Sequence, residues 1–354
     1  MDFETAATLA QASIDHYFGA PAPQAYNNVY PLTSAAQNQT FNYWWIAHLV
    51  DVQLDAYLRT GAPAARALAE ATYAHNKAQN HGTLLHEFYD DQLWNALAAL
   101  RLYRATGKRE YLEDATAVCQ DIFATAWNDT MGGGFAWRRA MPGYKNTPAN
   151  APVMILALRL YQLTLDSAYL TWAQRDLAWM QQVLVDPATQ FVTDGVNRLG
   201  DGRPDDAWQF SYNQGVYIGA LVEFHAVSHD PQYLDYAIQC ARTTIARLGA
   251  SGTIQDGGDG GDEGLFKGIF YRYLALLLKV RPDHELASFV ATSCRQLLAV
   301  AVGDDGFILA PRDWRRAPKQ PVNLSDQLSA VMALEAAACV TESSRGVRAQ
   351  KNTR

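Results

Sequence analysis

Apolar residues recur at i, i+3, i+4 and i+7 in about twelve segments, the period of helices with a buried stripe. The segments begin near Asp2, Thr40, Pro63, Asp90, Arg109, Ala149, Ser167, Ser211, Pro231, Gly264, Pro282 and Ser325. Period-two alternation is confined to short pieces such as Gly306-Phe307-Ile308-Leu309. The pattern predicts an all-α fold.

The segments repeat in pairs. Leu102-Tyr103 is followed by Tyr111-Leu112 and Ala115; Leu160-Tyr161 by Tyr169-Leu170 and Ala173; Phe224-His225 by Tyr233-Leu234 and Ala237, at identical spacing and about every 60 residues. Each unit reads as helix, tight polar turn, helix. A hairpin with one apolar face must bury it against neighbours, and six such pairs can close into a ring. Connectors between hairpins are long: Gln79 to Tyr89, Trp127 to Asn150, Pro187 to Phe210, Gly249 to Gly264 and Gly303 to Leu324. In an alternating ring they emerge on one face, where the inner helices begin, and long loops in a compact domain usually carry function.

Composition narrows the picture. The 354 residues are 49% hydrophobic and 18% charged, with a formal net charge of -7. That excludes a basic nucleic-acid or membrane-surface binder, and no apolar run approaches the ~18 residues of a membrane span. Residues 1–345 are expected to form one barrel, and residues 346–354 a polar, disordered tail. Met1-Asp2-Phe3-Glu4 is acidic and lacks the basic and apolar regions of an export signal, so a cytoplasmic address is expected, or an extracellular one if the chain has been trimmed. Cys119, Cys240, Cys294 and Cys339 sit far apart in apolar patterns and read as buried thiols.

The sharpest chemical feature is Tyr89-Asp90-Asp91-Gln92-Leu93-Trp94, at the end of one long connector and the start of a helix. An acidic pair there can simply cap the helix and favour its dipole. It can also cleave a glycosidic bond, one carboxylate attacking or orienting a nucleophile while the other protonates the leaving oxygen. Helical neighbours diverge by about 100°, which puts their carboxyl groups about 5–6 Å apart. That suits retention, at about 5–5.5 Å, without establishing it. Repulsion within the pair would raise the proton affinity of one member.

Aromatic faces that could stack on sugar rings surround this position: Tyr43-Trp44-Trp45, Trp137 after Gly132-Gly133-Gly134, and Trp208 before Ser211-Tyr212-Asn213-Gln214-Gly215. Core packing is the competing role for each, and capping competes for Asn213 and Gln214. Asp256, Asp259, Asp262 and Glu263 fall in a glycine-rich segment read as a flexible rim loop, since their spacing lacks an EF-hand pattern. Asp205-Asp206 reads as a solvated turn. His48, His86 and His225 compete for acid–base work. No cluster has zinc spacing, and no nucleophile elbow or nucleotide-binding loop is present, so no cofactor or metal is expected.

These residues resemble glycoside hydrolase family 76, the endo-α-1,6-mannanases. The resemblance rests on Tyr43-Trp44-Trp45, Tyr89-Asp90-Asp91 with Trp94, Gly133-Gly134 with Trp137, Asn150-Ala151-Pro152 before Leu160-Tyr161, Tyr212-Asn213-Gln214-Gly215 and Phe266-Lys267-Gly268. They stand in that order from about residue 40 to residue 280. The resemblance implies an (α/α)6 barrel, a retaining mechanism with Asp90 as nucleophile and Asp91 as general acid/base, and an α-1,6-linked mannan-type oligosaccharide bound without metal. The residues expected at the substrate are Trp44, Trp45, His86, Tyr89, Trp94, Trp137, Asn150, Tyr212, Asn213, Gln214 and Lys267. Other readings of such a barrel are an N-acylglucosamine 2-epimerase-like isomerase using the histidines, an unsaturated-uronide hydrolase using Arg138, Arg139 and Arg203, and a non-catalytic glycan-binding module.

Overall fold

A computed structural model describes residues 1–258 and 260–351, with side chains described as far as Val340. Among the described residues it has twelve α-helices: α1 Phe3–Phe18, α2 Tyr43–Thr60, α3 Pro63–Gln79, α4 Tyr89–Thr106, α5 Arg109–Thr125, α6 Thr147–Thr164, α7 Ser167–Val183, α8 Ser211–Ser228, α9 Gln232–Leu248, α10 Glu263–Val280, α11 His284–Ala301 and α12 Leu324–Lys351. Each begins within about three residues of its expected start. The tail expected over 346–354 falls where side chains lie outside the described residues. No helix among the described residues is long and apolar enough to cross a membrane.

Two kinds of helix alternate. In α8 nearly every residue from Ser211 to Phe224 is buried, whereas in α9 only Leu234, Ala237, Cys240, Ala241 and Thr244 are. A helix buried all round belongs inside, and one with a single stripe belongs outside. Accordingly α2, α4, α6, α8, α10 and α12 pack in succession and close back on α2, while α1, α3, α5, α7, α9 and α11 lie against them. This is the (α/α)6 barrel. Turns from inner to outer helix are tight. Gly61 and Gly107 end α2 and α4 at φ 70° and 72°, in the left-handed region where a side chain would cost energy.

The return connectors gather at the opposite face and carry the few strands. β1 Val29–Tyr30 pairs antiparallel with β5 Val322–Asn323; β2 Ala136–Arg138, β3 Met141–Asn146 and β4 Gly195–Val196 form a small antiparallel sheet in that order. The strand expected at Gly306–Leu309 is absent. Ile308 makes one isolated bridge to Val302, and its N–H and C=O are taken by Ser13 Oγ (2.9 Å) and Gln327 Nε2 (3.0 Å).

A repeated device fastens the connectors. The fourth residues of α6, α8 and α12 are buried amides that reach back to connector backbone. Asn150 accepts from Phe135 N–H (2.7 Å) and donates to Phe135 O (2.9 Å). Gln214 does the same with Val192 (2.8 and 2.7 Å), and Gln327 accepts from Ala310 N–H (3.0 Å) while donating to Ile308 O. Each amide satisfies backbone groups that would otherwise be buried unpaired.

Candidate active site

Asp90 and Asp91 stand in the first turn of α4, at the mouth of the ring. They do not cap it: the N-cap position is Phe88, in extended conformation, and no side chain caps there. Asp90 is held by N–H donors. Its Oδ2 accepts from Trp137 Nε1 at 3.0 Å and its Oδ1 from the Asp91 backbone N–H at 3.1 Å. Burial pushes its carboxyl up to about 7, with those donors, which favour the anion, opposing the shift only in part. Asp91 is pushed well above the carboxylate range by burial and by the negative charges of Asp90 and Asp262. Its Oδ2 lies 3.3 Å from His86 Nδ1, and 19% of its side chain remains accessible. Both carboxyls are raised and the two titrate as a pair, but the N–H donors favour the anion on Asp90 rather than on Asp91.

Strand β2 delivers Trp137. Phe88 and Arg138 form an antiparallel bridge, which sets β2 alongside the residues preceding α4. The glycines before β2 are packing seats: a Cβ on Gly133 or Gly134 would fall 2.7 Å from the ring of Trp127 or Trp179 respectively.

The facing wall is aromatic. Trp44 and Trp45 both donate their indole N–H to Asp262 Oδ1, at 3.0 and 2.8 Å. The Trp44 ring, half-buried, lies 6.3 Å from Trp94 and 6.4 Å from Phe266. Phe266 stacks on Tyr212 at 3.9 Å and 9°. Tyr212 donates to Asp194 Oδ1 (3.4 Å), which also accepts from Asn213 Nδ2 (2.8 Å), while Asp194 Oδ2 accepts from Tyr144 O–H (3.0 Å). Burial, Asp194 and Asp90 together hold the Tyr212 phenol well above its ordinary value, so it stays protonated. From Phe266 the rings continue through Phe210 (5.0 Å) to Trp208 (6.1 Å), whose ring is 40% exposed beneath the Arg198 guanidinium (4.3 Å).

Of the residues expected at the substrate, His86 and Trp137 stand beside the acid pair, Trp44 and Tyr212 stand in the facing aromatic wall, and Trp94 is buried against Trp44 and His48. The polar groups of the other six are engaged within the protein. Trp45 is buried against the rim at Gly261, whose added Cβ would meet its ring at 2.8 Å. Tyr89 is buried with its hydroxyl on Thr125 (3.0 Å). Asn150 and Gln214 are the connector clamps described above. Lys267 is a further clamp, buried with Nζ on the Arg312 carbonyl at 2.5 Å. Asn213 is buried and orients Asp194.

The rim differs from expectation as well. Asp256 accepts from Ser211 N–H (2.6 Å) and Oγ (2.7 Å), capping α8. Asp262 holds the two indoles, and Arg312 binds the carbonyls of Gly258 and Gly260 and the Asp326 carboxylate. The segment is pinned, not a free flap. Asp259 lies outside the described residues. No group of three potential ligands for a metal ion occurs among the described residues. Asp205, expected in a solvated turn, keeps 9% of its side chain exposed and pairs with Arg198 at 2.9 Å.

The rival acid–base groups do not converge. His48 is buried between Trp44 and Trp94, and burial pulls its imidazole down to about 3. His225 lies in the last turn of α8, at the opposite end of the barrel. Arg139 is engaged by Asp121 (2.6 Å), Arg203 is exposed beside Asp201, and Arg138 stacks on Phe88 and Trp137. Asp194 was invisible in the sequence: a single acid in Val192-Thr193-Asp194 carries no pattern, and its partners Tyr144, Tyr212 and Asn213 come from two separate stretches.

Comparison with known proteins agrees with this geometry. The family model described as glycosyl hydrolase family 76 matches residues 3–349. The chain is similar to the Lin0763 protein of Listeria innocua (49% identity, 96% of this chain and 97% of that one, TM-score 0.94). It is similar to the GH76A alpha-1,6-mannanase of Salegentibacter sp. HEL1_6 (33% identity, 96% and 100% covered, TM-score 0.88). An inactive variant of that enzyme, with two consecutive aspartates changed to asparagine, was solved in complex with alpha-1,6-mannotriose (32% identity, 96% and 100% covered, TM-score 0.87). The mannan endo-1,6-alpha-mannosidase DCW1 of Candida albicans is 25% identical over 253 residues, 64% of this chain, and the match spans 55% of that protein's length. The chain belongs to glycosyl hydrolase family 76.

Proposed function

We propose that the protein is a retaining glycoside hydrolase that cleaves α-1,6 linkages in mannan-type oligosaccharides. In the first step the Asp90 carboxylate attacks the anomeric carbon, the carbon–oxygen bond to the departing sugar breaks, and Asp91 gives its proton to that oxygen. In the second, water attacks the glycosyl ester, Asp91 takes a proton from it, and Asp90 leaves as carboxylate. The observation that carries this reading is the asymmetry of the pair: two N–H donors favour the anion on Asp90, while Asp91 is left without them. Trp44, Tyr212, Phe266 and Trp137 supply ring faces for sugar C–H surfaces.

The linkage is supported by the relatives, two of which are named for α-1,6 mannan cleavage. The catalytic unit under this reading is residues 1–345. A cytoplasmic address is part of the same proposal, supported by the buried thiols Cys119, Cys240 and Cys294. The test is a screen of linkage-defined manno-oligosaccharides with NMR detection of the first product anomer. Hydrolysis confined to α-1,6 linkages with retained configuration is expected. Inversion, or equal turnover of α-1,2 and α-1,3 linkages, contradicts the reading.

A further inference from the structure

We propose that Asp262 anchors a hydroxyl of the mannosyl unit that stacks on Trp44, an inference that rests on the hydrolase reading above. A carboxylate only accepts hydrogen bonds, and each of its oxygens offers two lone pairs. Asp262 Oδ1 uses both, on the indole N–H groups of Trp44 (3.0 Å) and Trp45 (2.8 Å). No group among the described residues donates to Oδ2, and Asp262 is exposed. The carboxylate neighbours the reacting groups: beyond burial, its charge helps to raise Asp90, Asp91 and Tyr212. One oxygen is therefore fixed to the wall and the other is left for a donor from outside the protein.

The two indoles divide the work. Trp45 is buried, whereas Trp44 is only half-buried and keeps ring surface open. An indole N–H lies in the plane of its ring, so Asp262 sits at the edge of Trp44 and not over its face. A sugar lying flat on that face turns its hydroxyls outward, toward an acceptor at the edge. The acceptor is also held in place before any sugar arrives. Ser325 Oγ donates to the Gly261 carbonyl (2.5 Å), and Arg312 binds the carbonyls of Gly258 and Gly260. Gly261 itself packs flush on Trp45, where a Cβ would meet the ring at 2.8 Å. A charged acceptor fixed in advance gains a strong hydrogen bond at little cost in ordering. Stacking and hydroxyl recognition are thus joined in one subsite by a single carboxylate.

The test is a cycle between protein and substrate on the full chain. Wild type and Asp262→Asn are compared on α-1,6-mannotetraose and on its singly deoxygenated analogues. The amide keeps an acceptor for the indoles and replaces the charged Oδ2, so kcat/KM on the parent should fall about 10-fold. On the analogue that lacks the anchored hydroxyl, that loss should be smaller by a factor of about five. A disturbed Trp44 ring or a shifted acid pair lowers every analogue by a common factor and cancels in the cycle. A loss of equal size on all analogues would confine Asp262 to holding the indoles and overturn the proposal. Asp262→Glu, which keeps the charge and displaces the oxygen, repeats the cycle if the amide variant fails to fold. If the wild type cleaves none of these sugars, the functional reading falls, and the same cycle read from calorimetric affinities still decides the role of Asp262.

Discussion

Trp137 Nε1 lies 3.0 Å from Asp90 Oδ2, joining the second residue of a three-residue strand to the second residue of an inner helix. The bond favours the anion at the atom proposed to attack. Trp137→Phe keeps the ring and removes the donor. A hydrogen bond to a charged group is worth about 1.5–3 kcal/mol, so kcat/KM near neutral pH should fall about 10- to 100-fold. The acid limb of the pH profile should move to higher pH, because Asp90 then holds its proton longer. An unchanged limb with a lowered rate would assign Trp137 to substrate stacking alone.

Asp91→Ala should lose about 100- to 10,000-fold on oligosaccharides, whose leaving group needs protonation. It should keep most of the glycosylation rate on mannosides with a good leaving group. Burst kinetics on such a substrate separates the two steps, and a uniform loss would argue against the acid role.

The pair also makes a stability prediction whose sign follows from linkage. Asp91 holds its proton in the folded state far above its ordinary value of 3.8. Between the unfolded and folded values the native state binds more protons, so stability falls as pH rises through that window. Asp91→Asn removes the penalty. Its melting temperature should exceed that of the wild type near about pH 8 and match it near about pH 3. Calorimetry at both pH values checks this, and a gain that persists in acid would contradict it.

The clamps should behave oppositely to the acids. Gln214→Ala leaves the Val192 N–H and C=O buried and unpaired, at a cost of about 2–4 kcal/mol. Urea unfolding should show that loss, while the folded fraction retains kcat/KM within about twofold. Loss of kcat/KM without loss of stability would restore Gln214 to the substrate.

These contrasts mark what the sequence could and could not show. Helix period, repeat spacing and unequal connector lengths were enough for the ring and its functional face, because each is a local or near-local property. The acid pair was legible as two like charges at an inner-helix start. Which way a polar side chain at such a start points was not. Asn150 and Gln214 have the chemistry to read a sugar hydroxyl, and the deciding fact is that connector backbone needed partners there. Their recurrence with Gln327 at the fourth position of three inner helices, α6, α8 and α12, was the available signal. Asp262 was legible only as one acid in a glycine-rich loop, since its role depends on two indoles more than 200 residues away in the chain.

The most direct test is covalent capture. The protein is incubated with a mannosyl fluoride whose 2-fluoro substitution slows the second step, then digested, and the glycosylated peptide is sequenced by mass spectrometry. The expected result is a single mannosyl ester on Asp90. An ester on Asp91, or steady turnover with an inverted product and no ester on any residue, would contradict the account.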